Sequence, residues 1–262
     1  MATVRLDEAP FLAEVERIVR TADARRIPLR AVGGVGIYYQ IRPDPAAHAV
    51  YLHRQGPDHG GSPRFKDLDL AGLEKFSSAI YKLFVKELQF TEDRETNVLF
   101  GMYRNIYFHP SFSIDIFYDV LRFSHEIPLA GRFPPGITLA PEDLFLGKAQ
   151  IHATTRHDLV DIAALLTSLP LEKMDLPYLQ RLLGEDWGLW YDVRANLEKC
   201  QELLAGWTPD GAGLTLPVLE VAKTRIRAAL DLVDRLPKSR RWEKRSLIGT
   251  RQPWFEDVDE IR

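Results

Sequence analysis

Four consecutive residues, Asp67-Leu68-Asp69-Leu70, alternate acid and leucine, and that period of two is the tightest constraint in the sequence. Side chains of a β-strand alternate between faces, so Asp67 and Asp69 point one way while Leu68 and Leu70 point the other. Two carboxylates then share one small volume, which is costly unless a cation lies between them, and hard oxygen donors suit Mg²⁺ or Mn²⁺. Asp115, inside the strand-like run Ser113-Ile114-Asp115-Ile116-Phe117, supplies a third carboxylate, with Asp119 as the alternative on the same strand face. Upstream, Ile27 to Val32 reads as a short strand that Gly33-Gly34 ends before a helical stretch from Val35 to Ile41. A strand, glycine turn and helix in that order bring backbone N–H groups up to a phosphate. Gly33-Gly34-Val35-Gly36 is neither a Walker loop nor a G-x-G-x-x-G fingerprint. Together these residues outline a metal-bound phosphoryl or nucleotidyl transfer centre.

The rest of the chain frames that centre. A helix is expected where Phe11, Leu12, Val15, Ile18 and Val19 recur at helical spacing, and another where Leu73, Phe76, Ile80, Leu83, Phe84 and Leu88 do. Pro43 to Pro63, rich in Pro, Gly, His and Asp, reads as a long surface loop or lid. Asn97 to Phe108 and Phe112 to Phe117 read as consecutive strands separated by the turn His109-Pro110-Ser111. After Pro134-Pro135-Gly136 the pattern turns helical as far as Leu236, with breaks at Leu169-Pro170 and from Gly206 to Gly213. The expectation is an α+β chain: a mixed sheet with flanking helices over residues 1–135, then a mostly helical C-terminal domain over 136–262.

Bulk properties narrow the function classes. The net charge is −3, from 34 Lys and Arg against 37 Asp and Glu, so the chain as a whole is not a basic nucleic-acid-binding module. The last stretch, from Pro237, does interleave Lys238, Arg240, Arg241, Lys244, Arg245 and Arg251 with Trp242, Trp254 and Phe255. Cations bind phosphates and aromatic rings stack on bases, which gives an RNA-contact reading for the tail. The competing reading packs its tryptophans on the helical domain. Cys200 is the only cysteine, which leaves neither an internal disulfide nor a multi-cysteine zinc site and fits a cytoplasmic location. No apolar run approaches the roughly 18 residues of a bilayer span, so no membrane partner is expected.

The order glycine pair, Asp-x-Asp strand and later strand aspartate, followed by Lys148-Ala149-Gln150-Ile151 and Arg156-His157-Asp158-Leu159-Val160-Asp161, resembles the nucleotidyltransferase superfamily of DNA polymerase beta-like minimal folds. The resemblance is closer to the branch of AbiEii-type toxins and to uncharacterised bacterial nucleotidyltransferase-like proteins. It includes an arginine before the Asp-x-Asp strand, here Arg64, and a helix lysine followed by an Arg-x-x-Asp-x-x-Asp-like segment. Two departures stand out: the Pro43–Pro63 insertion between the glycine turn and the acid strand, and the absence of a serine after Gly34.

The resemblance implies a nucleotidyltransferase-like sheet and Mg²⁺-dependent transfer of a nucleotide from an NTP. The acceptor is unnamed: an RNA end, a protein hydroxyl or a small molecule. Asp67, Asp69 and Asp115 would hold the metal, with Lys148 also in the catalytic set. Gly33, Gly34, Arg64, Lys148, Asp158 and Asp161 would contact the nucleotide, and a cognate antitoxin is an implied partner. Two other classes stand beside this one: a non-catalytic nucleotide-sensing or partner-binding module on the same fold, and a metal-dependent phosphohydrolase.

Overall fold

The computed structural model describes residues 6–55, 65–210 and 213–257. The chain is mixed α and β and divides into two compact units. The first comprises residues 1–39, 62–121 and 127–140; the second comprises 40–61, 122–126 and 141–262.

The first unit begins with α1 (Glu8–Ala24), whose Phe11, Leu12, Val15, Ile18 and Val19 are all buried, as their spacing predicts. A short strand, β1 (Arg30–Ala31), leads into α2 (Gly33–Ile41). The acid strand is β2 (Asp67–Gly72). A helical stretch follows, with a 3-10 turn at Glu74–Phe76, α4 (Ser77–Tyr81) and a π-helical segment at Lys82–Glu87. Then come β3 (Thr91–Glu92), α5 (Arg94–Phe100), β4 (Arg104–His109) and β5 (Phe112–Tyr118). The strands form one sheet in the order β1-β2-β5-β4-β3. β2 and β5 run parallel and the other pairs are antiparallel.

Pairing register makes the two faces of this sheet chemically different. Leu68, Leu70, Ile114, Ile116, Tyr118 and Tyr107 are buried on one face. There Phe11 of α1 meets Phe112 at 4.8 Å between ring centroids, and Phe84 meets Tyr107 at 4.7 Å. Leucine and phenylalanine side chains buried in this way are each worth about 1.5–3 kcal/mol, so α1 and the helical stretch after β2 are held by that face. The opposite face carries Asp67, Asp69, Ser113, Asp115, Phe117, Arg104, Ile106 and Phe108, all exposed or half-exposed.

Two expectations in this unit change. Asn97 lies in α5 and not in a strand: Asp93 caps that helix by accepting from Thr96 N at 3.1 Å, and β4 begins only at Arg104. The apolar residues Val98, Leu99 and Phe100 look strand-like, but the cap decides the conformation. Asn97 itself bonds Ile106 through both side-chain amide atoms, Oδ1 accepting at 2.6 Å and Nδ2 donating at 3.1 Å, which pins α5 to β4. Asp119 lies beyond the end of β5 at φ 59°, and its Oδ1 accepts from Glu74 N at 3.3 Å, so it belongs to a turn and not to the strand face.

The second unit is helical. The stretch expected as a loop between Pro43 and Pro63 instead forms α3 (Pro45–Tyr51) and a 3-10 turn at Leu52–Gln55; residues 56–63 lie outside the described residues. Asp44 caps α3 by accepting from Ala46 N and Ala47 N, and Pro45 occupies the first turn, where a missing N–H costs nothing. The prolines that suggest a loop therefore mark a helix start. Of the hairpin formed by β6 (Val120–Arg122) and β7 (Glu126–Pro128), residues 122–126 belong to this unit and the rest to the first. The helical run comprises α6 (Pro141–Ala149), α7 (Arg156–Ser168), α8 (Leu176–Glu185), α9 (Trp187–Ala205), α10 (Leu216–Arg235) and α11 (Arg240–Ser246). The expected breaks at Leu169-Pro170 and after Gly206 fall between helices. Helix α7 is the centre of this unit, packed against α3, α6, α9 and α10, and its residues Val160 to Leu166 are all buried. Among the described residues no helix is long and apolar enough to cross a membrane.

Candidate functional site

The carboxylate face of the first unit is built by register. In the parallel pairing of β2 with β5, Asp69 stands beside Asp115 and Asp67 beside Ser113, so the three aspartates expected from sequence share one face. Asp67 is exposed at the start of β2 and Asp69 is half-buried. Arg64 lies outside the described residues.

Gly33 stands against Asp69. It has φ 60°, and a Cβ built on it would stand closer to Asp69 Oδ2 than van der Waals contact allows. The adjoining chain is fixed by Val32 N donating to Asp69 O at 2.9 Å. The left-handed backbone and the missing side chain together let the first turn of α2, with Gly34 next in line, come up to the second aspartate of the pair. The expected strand, glycine turn and helix are therefore present, and they abut the acids.

Asp115 brings in a residue that the sequence reading passed over. Arg104 of β4 donates to Asp115 Oδ1 from Nε at 3.0 Å and contacts the same oxygen through Nη2 at 2.9 Å. Burial pushes the Asp115 carboxyl above the usual carboxylate range; Arg104 opposes this and the nearby charge of Asp67 adds to it. A signal for Arg104 was present in the sequence. A two-residue connection at Pro110-Ser111 pairs His109 with Phe112, which puts Arg104 opposite Phe117 and hence diagonal to Asp115.

Lys148, Asp158 and Asp161 belong to the second unit and form their own cluster. Lys148 Nζ lies 2.7 Å from Asp158 Oδ1 and 3.3 Å from Asp161 Oδ2. Arg54, in the helical stretch not expected from sequence, adds a contact of 2.8 Å to Asp161. Asp158 also closes a capping box with Thr155 at the start of α7. Burial lowers the tendency of Lys148 to hold its proton, but the charges of Asp161 and Asp158 outweigh it and the ammonium is held above its ordinary range. Asp158 moves the other way: burial opposes ionisation, yet Lys148 and the Thr155 hydrogen bonds bring its carboxyl below the ordinary range. The structure thus gathers the sequence-selected residues into two groups, one in each unit.

A third polar cluster was not anticipated. Asp192 of α9, 2% exposed, takes His125 Nε2 on one oxygen and His152 Nδ1 on the other, each at 2.8 Å, with Trp254 Nε1 at 3.4 Å. His152 stacks on Phe255 with ring centroids 3.7 Å apart. This segment of the basic tail is thereby packed on the helices, as the competing reading of the tail had it. Nothing in the local sequence around Asp192 marks it, because its partners come from three other segments.

Three carboxylates lie on neighbouring strand positions of this face, Asp115 half-buried with the charge of Asp67 nearby, and carboxylate oxygens are the donors a hard divalent cation takes. Among the described residues no group of three or more His, Cys, Asp or Glu side chains already converges as a ligand set. Neither protein-family models nor curated proteins give a match to this sequence.

Proposed function

We propose that the chain is a Mg²⁺-dependent nucleotidyltransferase that moves a nucleotide from an NTP to an acceptor hydroxyl. The observation that carries this reading is the register of β2 and β5, which sets Asp69 beside Asp115 on a half-exposed face with Asp67 next in line and the Gly33 turn against Asp69. Asp67, Asp69 and Asp115 would hold the cation, which when bound would neutralise the triphosphate and lower the pKa of the attacking hydroxyl. Backbone N–H groups of the first turn of α2 offer donors and a positive dipole end to the phosphates. Lys148, already held by Asp158 and Asp161, would meet a nucleotide only by exchanging those partners.

A second reading, a non-catalytic nucleotide-sensing or partner-binding module, is favoured by a specific observation: Arg104 ties up Asp115 while Lys148 is paired twice. Thermal unfolding with each of the four NTPs, with and without Mg²⁺, separates the two when followed by a pyrophosphate-release assay. A ligand that binds only the folded state raises the midpoint, by about 2.7 kcal/mol of stability at a hundredfold excess over Kd. Transferase activity requires a Mg²⁺-dependent rise that Asp67→Ala/Asp69→Ala abolishes, together with pyrophosphate release. A rise without pyrophosphate under any acceptor supplied turns the assignment to the binding module, and no rise with any nucleotide overturns both.

A further inference from the structure

The face that carries the three aspartates contains one cationic side chain among the paired positions of β2, β5 and β4, and that side chain is Arg104. Both of its contacts go to Oδ1 of Asp115, where a guanidinium fork facing a carboxylate squarely would engage both oxygens. The guanidinium carbon also lies 5.5 Å from the centroid of the Phe117 ring, the residue directly opposite Arg104 in the pairing. An aromatic shelf of this kind keeps an arginine on its face after the carboxylate contact is lost. The Arg104 side chain is 26% exposed and that of Asp115 15%, so the pair is only partly covered.

We propose that Arg104 is the resident counter-cation of the carboxylate face and a positioning residue for the polyphosphate of an incoming nucleotide. With a divalent cation held by Asp67, Asp69 and Asp115, the Arg104 guanidinium would give up its Asp115 contact. Arg104 then stays on Phe117 and turns its N–H groups to the anionic ligand that the cation brings. This inference rests on the nucleotidyl-transfer reading above and adds a specific role for a residue outside the acid set. The fork suits the task because it matches phosphate oxygens in pairs, which a lysine ammonium does not.

The two halves of the proposal have opposite signs in one experiment. Mn²⁺ binding is titrated by electron paramagnetic resonance on wild type, Arg104→Met, Arg104→Lys and Asp67→Ala/Asp69→Ala. Binding of α,β-methylene NTP analogues in Mg²⁺ is measured on the same proteins by calorimetry. Arg104→Met is expected to bind Mn²⁺ several-fold more tightly, because a competing cation is gone, and the analogue about tenfold more weakly, because a charge-assisted contact is gone. Arg104→Lys keeps the charge without the fork and is expected to leave Mn²⁺ binding near wild type while weakening the analogue. If Arg104→Met fails to fold by circular dichroism, Arg104→Lys carries the test. Wild-type affinities for both ligands in the variants, or a parallel loss of both, overturn the inference while leaving nucleotidyl transfer standing. Absence of Mn²⁺ binding in wild type removes the nucleotidyl-transfer reading itself, and this inference with it.

Discussion

Gly33 and Asp69 compete for the same space: the glycine backbone, at φ 60°, lies where any β-carbon would overlap the aspartate carboxylate. The start of α2 can therefore stand against the acid strand only with glycine at this position. Gly33→Ala adds steric overlap to left-handed strain, whereas Gly131→Ala, at φ 75° with no heavy atom within 4 Å of its built Cβ, adds strain alone. Gly131→Ala is expected to cost about 1 kcal/mol and Gly33→Ala about 2–4 kcal/mol, read by urea unfolding. Equal costs would show that the Gly33 turn relaxes away from Asp69.

Lys148 joins two carboxylates from α7, with its side chain 14% exposed and that of Asp161 fully buried. Lys148→Met leaves Asp158 with only its Thr155 hydrogen bonds and Asp161 with Arg54 alone. A loss of about 3 kcal/mol is expected in denaturant unfolding, because a buried charge without its partner is costly. A loss under 1 kcal/mol would mean that the cluster is hydrated in solution.

Asp158 and Asp192 both hold their carboxyl groups below the usual range. For Asp192 burial acts upward, but hydrogen bonds from His125 and His152 outweigh it. A depressed folded-state pKa contributes stability that is present above the unfolded value, near 4, and lost as pH falls through the folded one. Asp158→Asn and Asp192→Asn are each expected to be less stable than wild type at pH 7 and to show a flatter decline in stability below about pH 4. Unfolding series between pH 2 and 7 check the sign; a variant with the wild-type slope would rule out its residue as a source of the acid limb.

The Asp192 cluster also holds the tail. Asp192→Asn removes a charged acceptor shared by two imidazoles and the Trp254 indole. Limited proteolysis is expected to cut the variant between Gly249 and Phe255 faster than wild type, with a red shift in tryptophan emission. An unchanged cleavage pattern would show that stacking of His152 on Phe255 and the Arg245 contacts to the Gly249, Gln252 and Pro253 carbonyls suffice.

Cys200 is fully buried and its thiol is pushed up by that burial. Thiolate, not thiol, reacts with disulfide reagents, so the folded protein is expected to resist Ellman's reagent until denaturant opens the helical unit. Rapid labelling without denaturant would reveal local opening of α9.

Legibility followed the range of the interaction. The alternation Asp67-Leu68-Asp69-Leu70 fixed a strand and the face of each acid, and the helical spacing of Phe11 to Val19 fixed α1, because both patterns are local. At Pro45 and Asn97 composition misled: the capping side chains of Asp44 and Asp93, one residue long and easily overlooked, start helices where loop and strand were expected.

The sequence by itself determined which residues carry charge, which alternate, and where glycine permits a left-handed turn, since these depend on a residue and its near neighbours. Only the tertiary structure decided that Asp115 lies beside Asp69, that Arg54 and Lys148 share Asp161, and that His125 and His152 converge on Asp192. Each of those pairs joins residues from different elements, and strand register or helix packing, which no local propensity encodes, sets the distance between them.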